Sequence, residues 1–205
     1  MTAARRSRDA RAASSDDAQG DYRKRLLDAL AAAIVEDGYR ETTVADVVRR
    51  ARTSLRTFYT HFASKEECFV ALLAEVNAEM LRRIPAAVDP LAPAQQQVRQ
   101  AVEAWIAYAE SQPAITVSWI REVPSLSTPA CQQEMTEAFV SMIQALCDTE
   151  VFRAAGLGPV PRELAVMLLG GLRELAATTV EHGGRLGDVS ETAVRASIAL
   201  LGSRP

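Results

Sequence analysis

The stretch that decides the fold is residues 38–69, GYRETTVADVVRRARTSLRTFYTHFASKEECF. Val44, Val47, Val48 and Ala51 recur at i, i+3, i+4 and i+7, the spacing of a helix with one apolar face, and Thr42-Thr43 in front of them are N-cap residue types. Past Arg52-Thr53-Ser54 a second short helix reads from Ser54 to Phe62. Ser64, with Glu67 three residues on, has the form of a capping box and opens a longer helix. Two short helices around so tight a turn have helix-turn-helix dimensions.

Turning the second short helix by about 100° per residue puts Phe58 and Phe62 on one stripe, with Leu55 beside it. Arg56, Thr57 and Thr60 fall opposite, flanked by Tyr59 and His61. An arginine and two threonines on an exposed face can donate to base edges in a major groove, while a phenol and an imidazole at the border reach phosphates. The same residues would also make an ordinary solvated face. Ser64-Lys65 offers a helix N-terminus and a lysine to a phosphate, and Thr43 offers a second such clamp. Leu55 has two readings, as core or as an apolar contact with a thymine methyl.

Working outward, DYRKRLLDALAAAIVEDG (21–38) lines up Leu26, Leu27, Leu30 and Ile34 and stops at Gly38, a natural helix C-cap. Residues 1–20 are polar, small and charged and read as a disordered basic arm. On the other side, the helix from Ser64 extends to about Ile84, and Pro85, Pro90 and Pro93 fence off a linker. Further helices are expected at 94–111, 114–123, 129–155, 162–182 and 189–202. That makes nine helices and no strands. The fold class is all-α, with the arm at 1–20, a three-helix head at 21–68 and a helical body at 69–205.

Charge divides along the same line. Residues 1–65 hold 13 Lys and Arg against 9 Asp and Glu, and the remainder holds 10 against 17. A basic front on an acidic body suits a nucleic-acid-binding head with a tail of different purpose. The three cysteines, Cys68, Cys131 and Cys147, form no CxxC pair, which fits a reducing, cytoplasmic setting. The most apolar run, Ala165 to Leu172, is cut by Arg173-Glu174 well short of a membrane span. There is no G-x-S-x-G, P-loop or G-x-G-x-x-G, and the two histidines lie 121 residues apart. An enzyme, a metal site and a cofactor are therefore not expected.

The segment 38–69 resembles the head of TetR-family repressors, through Gly38, Thr42-Thr43-Val44, Ala51, Thr57-Phe58-Tyr59, His61-Phe62 and Ser64-Lys65-Glu66. The resemblance runs from Asp21 to Leu73, and the Pro-punctuated helices beyond it fit the family's nine-helix layout. It implies a homodimeric transcriptional regulator, most often a repressor released by a small-molecule effector, on a palindromic double-stranded DNA operator. It further implies that Thr43, Ser54, Arg56, Thr57, Tyr59, His61 and Lys65 occupy DNA-touching positions, while Phe58 and Phe62 hold the helix in place. Two residues depart from the family pattern. Arg52 stands at a turn position usually held by glycine, where a positive φ would cost about 1 kcal/mol. Leu55 stands where the family often has a polar base-reading residue. These departures motivate an alternative: a helical small-molecule-binding or scaffold protein with a degenerate head.

In the body, both tryptophans and two of the five methionines fall within 105–142. Trp105, Tyr108, Trp119, Met135, Phe139 and Met142 are candidates for an adaptable apolar effector site, with Glu122, Gln132 and His182 as possible polar anchors. Residues of those types at helical spacing also make plain core. The helix at 162–182 is apolar around more than one face. Leu168, Gly171, Leu172 and Leu175, with Val194, Ile198 and Leu201 of the last helix, are assigned to a four-helix dimer interface.

Overall fold

The computed structural model describes the backbone of residues 3–157 and 159–202, and the side chains of residues 20–157 and 159–202. Among them are ten α-helices and no strands. They are α1 Ala3–Asp37, α2 Val44–Arg50, α3 Leu55–His61, α4 Lys65–Ala86, α5 Ala94–Ser111 and α6 Pro113–Leu126. After these come α7 Pro129–Cys147, α8 Glu150–Ala154, α9 Arg162–Glu181, a 3₁₀ turn at Leu186–Val189, and α10 Ser190–Leu201. The chain divides into two compact units, one ending at Leu72 and the other beginning at Leu73.

In the first unit α1 supplies Leu26, Leu27, Leu30, Ala33 and Ile34, all fully buried. Against this stripe pack Val47 and Val48 of α2, Phe58 and Phe62 from α3 and its end, and Cys68 and Phe69 at the start of α4. Each large side chain removed from water contributes about 1.5–3 kcal/mol, so a three-helix head can hold together on this one shared stripe. Gly38 closes α1 at φ +80°, its N–H bonded to the Ile34 carbonyl at 2.9 Å, the left-handed conformation that glycine adopts without strain. The Tyr39 ring then lies 4.3 Å from that of Phe69.

In the second unit α10 packs on α5, and α9 packs on both α6 and α7. The core gathers Met80 and Ile84 of α4, Val102, Trp105 and Ile106 of α5, Trp119 of α6, and Phe139 of α7, with Leu168 and Leu169 from α9 and Val194 from α10.

Four boundaries differ from the sequence reading. The range of α1 takes in residues 3–20, expected as a disordered arm, and Ala3, Ala4, Ala10, Ala12 and Ala13 there are strong helix formers. Residues 129–155 make two helices, not one, which raises the count from nine to ten. The helix stops at Asp148, and Thr149 restarts it by accepting a hydrogen bond from the Phe152 amide. Pro85 lies inside the last turn of α4 instead of after it, and Pro124 lies inside α6, which continues to Leu126. A proline's fixed φ is helical; what it removes is one N–H, which a frayed final turn tolerates.

Candidate DNA-binding head and effector cavities

The two short helices of the head, α2 and α3, are built from their caps inward. Thr43 precedes α2 and forms a reciprocal box with Asp46: the Asp46 amide donates to Thr43 Oγ1 at 3.3 Å, and the Thr43 amide donates to the Asp46 carboxylate at 3.1 Å. Thr43 Oγ1 also donates to that carboxylate at 2.6 Å. This hydroxyl, with the guanidinium of Arg49, holds the Asp46 carboxyl down at about 2. Arg50 grips Glu36 with two hydrogen bonds and lies 3.6 Å from Asp37. Two arginines of the basic front are thus committed within the head, Arg49 to Asp46 inside α2 and Arg50 to the end of α1.

After α2 the chain turns through Ala51 and Arg52. Arg52 has φ 50°, the one positive φ among the described non-glycine residues. Its N–H donates to the Arg49 carbonyl at 3.3 Å, and the Thr53 N–H donates back to Val48 at 2.9 Å. This is the Schellman closure of a helix, whose left-handed residue is usually glycine. Arg25 of α1 reaches across to donate to the carbonyls of Ala51 and Arg52, so the turn is clasped from the neighbouring helix.

Ser54 caps α3, accepting from the Thr57 amide at 3.1 Å, and its hydroxyl lies 2.9 Å from that of Thr57. Phe58 and Phe62 face inward, ring centroids 5.8 Å apart and both buried. Their burial fixes the helix's rotation. Leu55, Arg56, Tyr59 and Thr60 then form one contiguous exposed strip, with Thr57 and His61 half-buried at its margins. Leu55 is 50% exposed and Tyr59 57%. The core reading of Leu55 is therefore overturned: as the first residue of α3 it lies beyond the end of the buried stripe.

Lys65, expected to grip a phosphate, is used inside the head. Its ammonium donates to the carbonyls of Thr42 at 2.8 Å and Tyr39 at 3.0 Å, with Arg40 at 3.5 Å, and sits 4.3 Å from the Tyr39 ring centre. A lysine carries three N–H donors, and these carbonyls take them up. It bolts the α1–α2 loop to the start of α4. Ser64 caps α4 as expected, accepting from the Glu67 amide at 3.2 Å, but Glu67 reaches back to the Ala63 amide at 2.5 Å, one residue short of the reciprocal partner.

Residues 26–72 match the family described as bacterial regulatory proteins, tetR family. That match falls on the head. A curated relative, the HTH-type nicotine-responsive transcriptional repressor HdnoR of Paenarthrobacter nicotinovorans, is 32% identical over 69 residues, 34% of this chain. The match spans about a third (36%) of that repressor's length. Two solved structures share the fold across nearly the whole chain. The transcriptional regulator FadR from Bacillus subtilis, in complex with stearoyl-CoA, superposes with TM-score 0.72 at 17% identity, covering 88% of this chain and 99% of its own. The fatty acid degradation regulator FadR from Bacillus halodurans gives 0.71 at 16%, covering 89% and 99%.

Two cavities among the described residues of the second unit bear on an effector site. The first, about 70 Å³, is apolar and is walled by Val98, Val102, Trp105, Phe139, Met142 and Leu172 among others. The second, about 110 Å³, lies between α6, α7 and α9 and is lined by Trp119, Gln132, Met135, Thr136 and Arg173 with neighbouring apolar groups. The expected effector residues thus split: Trp105, Phe139 and Met142 line the first, Trp119 and Met135 the second. Tyr108 and Glu122 line neither, and the buried Tyr108 ring lies 5.4 Å from the Arg83 guanidinium instead. Gln132 donates to the carbonyls of Ser127 and Pro124.

The residues assigned to a dimer face divide by burial. Leu168, Val194 and Leu201 are buried within their own chain, and Leu168, Leu172 and Leu201 line the first cavity. Leu175 and Ile198 are half-buried, and of the seven only Gly171 is exposed. The most apolar positions of a helix serve the core of their own chain, which leaves the half-buried and exposed members of the set as the surface a partner could meet. The residue missed altogether is Arg173. A lone arginine after eight apolar residues was the available signal, and it reads simply as the end of the run. No helix among the described residues is long and apolar enough to cross a membrane.

Proposed function

We propose that this chain is a homodimeric transcriptional repressor that binds a palindromic DNA operator and releases it on binding a small-molecule effector in the body. The observation that carries the reading is the exposed strip Leu55, Arg56, Tyr59 and Thr60 on a helix whose rotation is locked by Phe58 and Phe62. Arg56 and Thr60 supply donors for base edges, Leu55 an apolar surface for a thymine methyl, and Tyr59 a phenol for a phosphate. Ser54, Thr57, His61 and Thr43 border the strip as secondary contacts; the hydroxyls of Ser54, Thr57 and Thr43 are shared with caps. Lys65 acts on DNA affinity through the fold.

The dimer is supported by the outer stripe of α9. Met167 is 61% exposed, and Gly170 and Gly171 have open space where a Cβ would stand, so a partner helix could approach the backbone closely. Two heads related by a two-fold axis meet half-sites about 34 Å apart. An effector in the cavities acts by differential affinity for two dimer shapes, carried to the head through α4. A gel-shift titration with the upstream region of the protein's own gene tests this. Retarded DNA at a stoichiometry of two chains per palindrome is expected. Absence of binding at low salt refutes it.

A further inference from the structure

We infer that the cavity between α6, α7 and α9 is the anion subsite of the effector pocket, so that the effector is an amphiphilic carboxylate whose acidic group meets Arg173 and whose apolar part enters the adjoining cavity. The inference rests on the effector-responsive reading and gives it a chemical class.

Arg173 rises from α9 toward α6 and α7. Its guanidinium carbon lies 4.1 Å from the centre of the Trp119 ring and 6.0 Å from that of Phe139. Among the described residues it has no carboxylate within ion-pair distance, because Glu174 and Glu181 of its own helix are both held by Arg121. Its Nε is buried with no hydrogen-bond partner. Buried charges in folded proteins are as a rule paired, and each exception asks for an explanation. A half-buried guanidinium with no carboxylate partner and one unsatisfied nitrogen is rewarding to an arriving anion.

The surroundings fit that arrival. One water needs about 10–15 Å³, so a cavity of about 110 Å³ admits a carboxylate with its first carbons. Stacked on Trp119, a guanidinium presents its edge to an acceptor, the geometry suited to a two-oxygen anion. Gln132 and Thr136 share the wall. Burial pulls Arg173 down to about 10, which leaves it charged at neutral pH.

Phe139 connects this site to the apolar cavity. It walls the first cavity while its ring lies 5.9 Å from that of Trp119 in the second. Two more buried polar atoms stand without partners in the same region: Nε1 of Trp105, in the wall of the first cavity, and Oδ1 of Asn77, whose amide nitrogen donates to the Met135 sulfur at 3.2 Å. One charged end, one apolar chamber and two spare polar atoms describe an amphiphile.

The test uses the full chain and three probes of one chain length: octanoate, 1-octanol and octylamine. Binding is followed by calorimetry and by tryptophan fluorescence, since Trp119 and Trp105 lie in the two walls. Octanoate should bind wild type at least about ten-fold more tightly than 1-octanol, as a charge-assisted contact requires, and octylamine more weakly than either. Arg173→Met should abolish the preference for octanoate without lowering the melting temperature. A cation kept only for its stacking on Trp119 would lower it on removal. Octanoate that binds no better than 1-octanol, that binds Arg173→Met as well as wild type, or that fails to bind at millimolar concentration overturns the inference. If Arg173→Met does not fold, the three-probe comparison on wild type decides alone. Binding of octanoate without release of DNA in a gel shift leaves the subsite standing and refutes the effector-responsive reading. Release that does not depend on Arg173 refutes the subsite.

Discussion

Replacing Arg52 by glycine should stabilise the head. Arg52 holds φ 50° as the left-handed residue of the α2 closure, a conformation that costs a residue with a Cβ about 1–2 kcal/mol. Glycine removes that strain but brings a more flexible unfolded chain, worth about 0.5–1 kcal/mol against it. The net gain is about 0.5–1 kcal/mol, and no ion pair of Arg52 is lost among the described residues. In a head of this size it corresponds to a rise of about 2–8 °C in the melting transition. Differential scanning calorimetry of wild type, Arg52→Gly and Arg52→Ala separates the contributions. Alanine keeps the strained backbone without the guanidinium, so it should melt near wild type. Arg52→Gly melting below wild type would refute the reasoning. In salt titrations of DNA binding, both variants should show a shallower slope by about one ion if the exposed arginine neutralises a phosphate.

Arg56→Ala should weaken DNA binding by about 1–3 kcal/mol and relax base preference at one position of each half-site, with an unchanged melting curve, as measured by fluorescence anisotropy on single-base variants of the operator. Lys65→Met should instead lower stability by about 1–3 kcal/mol, because it leaves the carbonyls of Tyr39 and Thr42 unpaired; an unaltered melt would show that the lysine is not the bolt of the α1–α2 loop. The Asp46 carboxyl is held at about 2, below its unfolded value, so its contribution is complete above the unfolded pKa and lost as pH falls through the folded one. The stability difference between wild type and Asp46→Asn should be constant from neutral pH to about 4 and close toward about 2, by chemical denaturation across pH. A difference that persists at the acid end would contradict the capping role.

The head was legible because its information is local. Capping residues, a four-residue aromatic spacing and one apolar stripe per helix sit within a few turns of each other, and the structure uses Phe58, Phe62, Thr43 and Ser54 for those purposes. Arg52 was legible too, since a turn of that length needs a left-handed residue whatever occupies it. Leu55 stays open in the sequence and the bracing contacts of Lys65 do not show there, because these depend on where a helix ends and on carbonyls 23 and 26 residues away. The body was less legible because apolar stripes do not say which neighbour they meet. Leu168 and Val194 belong to their own core, and the polar residue that matters most there, Arg173, gains its meaning only from Trp119 and an absent carboxylate.

The central claim is that the exposed strip of α3 reads DNA. Its most direct test is selection of bound duplexes from a random pool by wild type and by the double variant Arg56→Ala, Thr60→Ala, with both confirmed to melt alike. The account predicts a palindromic consensus for wild type and, for the variant, a weak binder whose recovered sequences have lost their preference at the α3-facing positions. An unchanged consensus at unchanged affinity would contradict it.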